Sequence, residues 1–281
     1  MRKLDRLGWA EGIGVYTYGV HAGVRISTPG MLLQISRLLP PGWKNSRRAT
    51  MQRLYSLVVA ESSRRAGVRR MHILYADSER IARDPELDQV LTALETDLHR
   101  YVAEASPDKT FLHAGVVGWQ GRAILLPGRS LSGKTTLVRE LLRLGATYYS
   151  DEFAVVDDSG KVHPFPRPLG IREDSTYAQT NYTAEKLGAA SGVKPLPLGA
   201  VVICKYKAGA RWKPAPLSHG QGALELMANS IAVRNEPRQT LRRIHKLMRS
   251  AVFVKGTRGE ACDSAASILN LLSTGNGQEK E

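Results

Sequence analysis

Residues Gly128–Thr135 read GRSLSGKT and match the pattern G-x-x-x-x-G-K-[ST] at every fixed position. The apolar run AILLP leads directly into this segment, and a helix-forming stretch begins at its Lys-Thr. In a strand–loop–helix unit of this kind, consecutive backbone N–H groups converge on one point and the positive end of the helix dipole adds to them. The pattern therefore predicts an α/β domain with a phosphate-binding loop.

Each fixed position of the loop has a chemical reason. Gly128 and Gly133 let the backbone turn and approach phosphate oxygens without an intervening side chain. We expect Lys134 to reach the β- and γ-phosphates of a nucleotide and the Thr135 hydroxyl to ligate Mg²⁺. The predicted cofactors are thus ATP and magnesium, and the predicted nucleotide contacts are Gly128, Arg129, Ser130, Leu131, Ser132, Gly133, Lys134, Thr135 and Thr136.

Two adjacent acids, Asp151 and Glu152, follow the next predicted strand. In loop-based nucleotide-binding proteins an acid at such a strand end completes the surroundings of the metal. A pair of acids can also divide the work, with one at the magnesium and the other accepting the proton of an acceptor hydroxyl. A charged strand-to-loop transition is the alternative interpretation, and we favour the functional one.

Two further features leave both interpretations open. His113 lies on the predicted strand that precedes the nucleotide strand, where a histidine is either packed in the core or part of the site. The segment Pro164–Arg172, PFPRPLGIR, either presents Arg167 and Arg172 to phosphates or forms a rigid turn.

Composition narrows the class of protein. The 281 residues are 42% hydrophobic and 23% charged, which is ordinary for a globular protein, and no apolar run has the length of a membrane span. The two cysteines, Cys204 and Cys262, lack metal-ligand spacing, so we expect a reducing cytoplasm and no disulfide framework.

The charge balance fits either a polyanionic or acidic partner (nucleic acid, an anionic membrane surface or an acidic peptide) or a basic surface that is only solvated. There are 40 Lys and Arg residues against 26 Asp and Glu, which gives a formal net charge of +14. No RNA-binding aromatic motif or zinc finger accompanies these charges, so nucleic acid is not favoured. An acidic or serine-bearing peptide or protein is the favoured partner, no membrane partner is predicted, and the oligomeric state is left open.

The chain is predicted to divide near the punctuating segment Ala105–Asp108. Residues 1–105 form an N-terminal mixed α/β domain, interpreted as a candidate substrate- or partner-binding domain. Residues 106–273 form the domain with the phosphate loop, and residues 274–281 form a disordered polar tail.

Periodicity and turn residues predict the elements of both domains. The predicted strands are Val15–Val20, Gly23–Ser27, Met71–Tyr75, Leu112–Trp119, Arg122–Leu126, Ala146–Tyr149, Phe153–Asp157, Lys161–Pro164, Gly199–Tyr206 and Val252–Val254. The predicted helices are Met31–Leu38, one that Asp84 caps and that runs to about Val102, Lys134–Leu144 with Gly145 as its cap, Ala223–Ala232, Gln239–Ala251 and Ala261–Leu272.

The run LHAGVV…GRAILLPGRSLSGKTTLVRELLRLGATYYSDEFAVVD resembles the catalytic core of HPr kinase/phosphorylase and the wider group of HPr-kinase-related proteins. The resemblance covers residues 110–175 well and the following part loosely, and it does not extend to residues 1–105. It implies an α/β fold with a P-loop kinase core similar to phosphoenolpyruvate carboxykinase, and ATP-dependent transfer to a serine hydroxyl. By the same resemblance Asp151 would be the general base, Glu152 would help hold the metal, and His113 would correspond to the family's strand-borne histidine. With the loop motif, the predicted catalytic residues are Asp151, Lys134 and His113, and the predicted metal ligands are Thr135 and Glu152.

Three positions depart from that family's pattern. Glu152 replaces an aspartate, Thr136 replaces the acid that follows the loop, and Phe165-Pro166 stand where a glutamate precedes the R-G-x-G-I-like stretch. These departures favour the related kinases that phosphorylate a serine of a precursor peptide over a kinase acting on HPr.

Other classes of nucleotide-binding protein remain as alternatives. A small-molecule kinase of the same fold is one, and an ATP-binding regulatory module without catalysis is another. No L-S-G-G-Q-like signature of a transporter ATPase follows the loop, and the chain has no N-K-x-D motif for guanine.

One row of basic residues is the predicted docking surface for the acceptor peptide. Arg238, Arg242, Lys246 and Arg249 recur at helical spacing, and like charges at this spacing repel by a few tenths of a kcal/mol per pair. Carboxylates or phosphates of a partner would relieve this repulsion, while a solvated face is the equal alternative.

Overall fold

The computed structural model describes residues 4–60, 70–128, 132–172 and 179–272. The chain divides into two compact units, Met1–Asp108 and Lys109–Glu281, close to the boundary placed at residue 105 from the sequence. The predicted disordered tail at residues 274–281 lies outside the described residues.

The first unit is a mixed α/β unit with a six-stranded sheet in the order β3-β1-β2-β4-β5-β6. Strands β2 and β4 run parallel, and the other neighbours are antiparallel. The strands are β1 (Glu11–Thr17), β2 (Val20–Ile26), β3 (Lys44–Asn45), β4 (Arg53–Val58), β5 (His72–Ala76) and β6 (Glu79–Asp84). The helices are α1 (Leu32–Arg37) and α2 (Leu87–Ala105), and α2 packs on β5 and β6.

Two boundary predictions in this unit are wrong. The predicted strand Val15–Val20 contains the turn of the hairpin, because Tyr18 and Gly19 adopt φ values of 48° and 83° between paired Thr17 and Val20. Asp84 is not the cap of α2. It ends β6 and accepts a hydrogen bond from the Glu86 N–H at 2.8 Å, and the helix begins at Leu87.

The second unit is built on an eight-stranded mixed sheet and a separate hairpin. Its strands are β7 (Lys109–Trp119), β8 (Arg122–Pro127), β9 (Thr147–Ser150), β10 (Phe153–Asp157), β11 (Lys161–His163), β12 (Leu169–Arg172), β13 (Gln179–Tyr182), β14 (Leu196–Tyr206), β15 (Ala215–Pro216) and β16 (Val252–Arg258). Its helices are α3 (Lys134–Arg143), α4 (His219–Ala228), α5 (Pro237–Leu247) and α6 (Ala261–Asn270). The hairpin is β12–β13.

Three adjacent strands of the large sheet, β8, β14 and β16, run parallel. On the other side of β8, strand β7 is antiparallel and carries both β9 and β10 along its length. The carboxyl ends of β8, β14 and β16 therefore lie along one edge, which is where ligands bind in sheets of this kind.

Helices cover both faces of this sheet. Along β8, Ile124 and Leu126 join the core that contains the apolar residues of α3 and α6, whereas Ala123 and Leu125 join the core beneath α4 and α5. This alternation follows from the two-residue period of a strand. The second unit is thus an α/β layer structure, and no helix in the described ranges combines the length and apolar character needed to cross a membrane.

Burial confirms the predicted core positions of α3. Leu137, Val138, Leu141 and Leu142 are buried, and Gly145 follows the helix with a φ of 94°. The helices near the carboxyl terminus begin earlier than predicted: α4 begins at His219 and α5 begins at Pro237. Part of the proline-rich segment Pro164–Arg172 forms strand β12 rather than a loop.

The hairpin of β10 and β11 contains a carboxylate that should make stability pH-dependent. Asp157 accepts hydrogen bonds from the Ser159 and Lys161 N–H groups and the Ser159 hydroxyl, and its other oxygen lies 2.7 Å from Nε2 of His163. Partial burial acts to raise its pKa, but these hydrogen bonds dominate and hold the pKa of Asp157 well below its usual range.

A carboxylate whose pKa is depressed in the folded state adds stability that is fully present above its unfolded pKa of about 4. This stability is lost as the pH falls from there through the folded pKa. We expect the free energy of unfolding to fall by on the order of 1 kcal/mol through this carboxylate as acid is added. Denaturant titrations at several pH values should show a weaker decline in Asp157→Asn. Equal slopes in the two proteins would contradict the assignment.

Candidate functional site

The phosphate-loop motif joins the end of β8 to the start of α3. Gly128 follows β8 and donates its N–H to the His113 carbonyl at 3.3 Å, and Gly133 precedes α3 with a φ of 79°. A Cβ at Gly128 would lie 2.9 Å from the Ser132 hydroxyl, so glycine is needed for this close approach. Predicted contacts Arg129, Ser130 and Leu131 lie outside the described residues.

Lys134 closes across the loop from the first turn of α3. Its ammonium donates a hydrogen bond to the Gly128 carbonyl, at the opposite end of the motif. Burial lowers the pKa of Lys134, while the negative charges of Asp151 and Glu152 act in the opposite direction. The site therefore concentrates one partly buried cation and two carboxylates beside the helix N-terminus.

Asp151 lies directly against the helix that carries the loop lysine. Its Oδ2 accepts a hydrogen bond from the Thr135 hydroxyl at 2.6 Å. Its Oδ1 is buried and has no hydrogen-bond partner among the residues that the structure describes. Desolvation raises the pKa of Asp151 to about 6, against the hydrogen bond from Thr135 and the charge of Lys134. A buried carboxylate oxygen with free acceptor capacity fits either a cation or the proton of a hydroxyl group.

Asp151 reaches this position because the β9–β10 strand is interrupted. Both β9 and β10 pair with β7, and the residues between them, Asp151 and Glu152, leave the regular ladder. The Ser150 hydroxyl accepts hydrogen bonds from the N–H groups of Glu152 at 3.2 Å and Phe153 at 3.0 Å. A hydroxyl that takes over backbone donors in this way stabilises a local turn.

The close approach of α3 to β7 depends on a glycine that sequence reasoning did not single out. A Cβ at Gly115 would lie 2.8 Å from Cγ2 of Val138 and 3.7 Å from Oδ1 of Asp151. We expect Gly115→Ala to displace α3, lengthen the Thr135–Asp151 contact and lower the free energy of unfolding by about 1–3 kcal/mol. Denaturant unfolding and ATP affinity measure the two effects.

Gly220 provides the matched control, because a Cβ there meets no atom within 4 Å and the residue lies in α4. Gly220→Ala should leave stability unchanged or slightly higher, as expected for alanine in an exposed helix. Similar behaviour of the two variants would contradict the role given to Gly115.

Glu152, the other predicted metal ligand, has a different partner from Asp151. Its carboxylate forms an ion pair with Arg167 of the segment between β11 and β12. Tyr148 fixes the backbone of this segment, because its hydroxyl donates to the Arg167 carbonyl at 2.6 Å. The structure thus brings Arg167 to the site, where it forms an ion pair with Glu152. The side chain of Arg172, the other predicted arginine, lies outside the described part of the structure.

His113 lies on β7 with an exposed side chain, which does not fit the packed-core interpretation. Its ring centroid lies 5.3 Å from that of Phe153. Partial desolvation and then the positive charge of Lys134 lower the pKa of His113, against a contact with the Glu152 carbonyl. These effects favour the neutral imidazole, which can accept a proton. Thr136, the last predicted nucleotide contact, is exposed on α3.

Arg258 is part of the site, and sequence reasoning missed it. Its side chain is 2% exposed, and it donates hydrogen bonds to the carbonyls of Gly133 at 2.8 Å and Gly259 at 2.9 Å. A Cβ at Gly133 would lie 2.7 Å from its Nη2. Arg258 follows the predicted apolar strand Val252–Val254 by four positions, which is a weak signal, and 125 positions separate it from Gly133 in the chain.

Searches against protein-family models and against curated proteins return no match for this chain.

Proposed function

We propose that this chain is an ATP- and magnesium-dependent kinase that transfers the γ-phosphate of ATP to a serine hydroxyl of a peptide or protein. The proposal includes a P-loop kinase core in the second unit, of the kind found in HPr-kinase-related proteins. The observation that carries it is the hydrogen bond between Thr135 and Asp151, with Lys134 beside it at the N-terminus of α3.

The donor set is appropriate for magnesium. Magnesium in kinases is bound by one or two protein ligands together with phosphate oxygens and water. Thr135 and Glu152 would hold the ion, and the free Oδ1 of Asp151 adds a nearby oxygen. Within residues 4–60, 70–128, 132–172 and 179–272, no three His, Cys, Asp or Glu side chains cluster as a metal site, which is compatible with an ion held partly by nucleotide.

Each residue then has a separate task in the transfer. Lys134 and the N-terminus of α3 bind the β- and γ-phosphates and stabilise their charge. Asp151 accepts the proton of the serine hydroxyl while the serine oxygen forms a bond to the γ-phosphorus. The bond from that phosphorus to the β–γ bridging oxygen breaks, and ADP leaves. Bound magnesium would neutralise charge on the phosphates.

A specific observation keeps the regulatory module as a second candidate. The ion pair with Arg167 occupies the Glu152 carboxylate. A protein that only senses nucleotide needs no general base and tolerates such a pair, whereas the kinase requires Glu152 to exchange Arg167 for the metal. A small-molecule kinase would use the same residues and differ in its acceptor.

One assay separates these three functions. ATP consumption and product mass are measured with an acidic peptide containing serine, the same peptide with alanine, and free small hydroxyl compounds. The proposed kinase gives a serine-dependent gain of one phosphoryl group on the peptide. Transfer only to small compounds indicates the second class of enzyme, and ATP binding without transfer to any acceptor indicates the regulatory module.

The basic row on α5 is the candidate docking surface for the acceptor. Arg238 and Arg242 are exposed and form no salt bridge within the described part of the chain. Lys246 is different, because its ammonium donates to the Asp158 carbonyl at 2.8 Å. The buried neighbour Arg243 pairs with the Asp158 carboxylate at 2.8 Å. Arg249, in the turn that follows α5, is exposed as well. The part of the row on α5 without a salt bridge among the described residues is thus Arg238 and Arg242, which an acidic peptide would neutralise.

Replacing Arg238 and Arg242 with Glu should raise the KM for an acidic acceptor by on the order of tenfold at low salt and flatten its salt dependence. The affinity for ATP should not change. Lys186→Glu with Lys194→Glu is the control, because it changes the net charge equally at two exposed positions. An unchanged acceptor KM in the Arg238/Arg242 variant would mean that these arginines are only solvated and do not bind the acceptor.

A further inference from the structure

A cavity lies at the carboxyl ends of β14 and β16. It has a volume of about 280 Å³ and lies between the segment that follows β14 and the start of α6. Trp212 forms one wall, and Glu260 and Asp263 contribute carboxylates. A side chain at Gly256 on β16 would collide with the indole, since a Cβ there would lie 2.9 Å from Cζ3 of Trp212.

Arg258 connects this cavity to the phosphate loop. Its buried guanidinium donates to the Gly133 carbonyl in the loop and to the carbonyl of Gly259, which lines the cavity. The guanidinium also lies 5.6 Å from the ring centroid of Tyr206, whose hydroxyl donates to Glu260 at 2.8 Å. A single side chain therefore fixes the spacing between the loop and the cavity.

The strand order gives a bound nucleotide a direction. Asp151 follows β9, which pairs with β7, on one side of the loop strand β8. The cavity lies at the ends of β14 and β16, on the other side of β8. A triphosphate whose γ-phosphate lies near Asp151 can therefore extend along the strand ends toward the cavity.

We propose that this cavity binds the purine base of the nucleotide, with the ring against the indole of Trp212. This inference rests on the proposed function, because it places the base of the same ATP. Half-buried Trp212 lines the cavity, and purines stack on aromatic rings of this kind. The carboxylates of Glu260 and Asp263 can accept hydrogen bonds from the exocyclic amino group of adenine.

The test compares ATP with inorganic tripolyphosphate, which has the phosphates without a base. Equilibrium dissociation constants for both ligands, with magnesium present, are measured on the full chain and on Trp212→Ala, Trp212→Phe and Lys134→Ala. We expect Trp212→Ala to weaken ATP binding by roughly 10- to 100-fold and to leave tripolyphosphate binding unchanged. Trp212→Phe should retain most of the ATP affinity, and Lys134→Ala should weaken both ligands.

The outcomes separate the two proposals. An equal effect of Trp212→Ala on both ligands, or no effect on either, overturns the base site and leaves the phosphate loop in place. Retained tripolyphosphate binding in Trp212→Ala also shows that the variant is folded. If Lys134→Ala binds both ligands as the wild type does, or if the wild type binds neither, the proposed function itself fails, and the base site fails with it.

Discussion

Replacing Lys134 with Ala is expected to reduce phosphoryl transfer from ATP by at least about 100-fold, because the cation that stabilises charge on the β- and γ-phosphates is removed. The partly buried ammonium of Lys134 contacts the Gly128 carbonyl at the start of the loop and has two carboxylates in its surroundings. Steady-state transfer and ATP affinity should both decline.

Lys161→Ala is the matched control for this experiment, because Lys161 is an exposed lysine on strand β11 of the same sheet. Its transfer rate should equal that of the wild type. Full activity in Lys134→Ala would mean that the transfer centre lies elsewhere and would leave the loop without a catalytic role.

The second large effect is expected at Asp151. Asp151→Asn keeps an oxygen that can accept the hydrogen bond from the Thr135 hydroxyl, but an amide cannot take up the proton of an acceptor hydroxyl. Transfer should therefore fall by roughly two to four orders of magnitude, while ATP affinity stays within a few fold. Single-turnover transfer and calorimetric ATP binding measure the two quantities separately.

Glu152→Gln is the comparison for Asp151→Asn, because Glu152 is assigned to the metal rather than to the proton. It should raise the magnesium concentration needed for half-maximal transfer more than Asp151→Asn does. If Asp151→Asn instead loses ATP binding and transfer to the same extent, Asp151 is a metal or structural residue and another group takes the proton.

The residues that sequence reasoning located well are those with local signals. The loop motif, the apolar stripe of α3 and the acids after β9 each depend on neighbours a few positions away, and α3 begins at Lys134 as predicted. The site roles of these residues remain predictions.

The residues that sequence reasoning missed make contacts with residues far away in the chain. Gly115 on β7 leaves room for the side chain of Val138 on α3. Arg258 donates a hydrogen bond to the carbonyl of Gly133, which lies far from it in the chain. Glu152 forms its ion pair with Arg167. From the sequence, Arg167 was interpreted either as a phosphate-binding residue or as part of a rigid turn. Contacts of this kind depend on strand order and register, which periodicity alone does not supply.

Equilibrium binding of ATP to the wild-type chain, with and without magnesium, tests the central claim most directly because it needs no knowledge of the acceptor. Binding should occur in the range of about 1 μM to 1 mM that is typical of enzyme substrates, and magnesium should strengthen it. Lys134→Ala should weaken it, whereas Lys161→Ala should not. Absence of ATP binding by the wild type, or binding that neither magnesium nor Lys134 affects, would contradict the assignment of a nucleotide site to this loop.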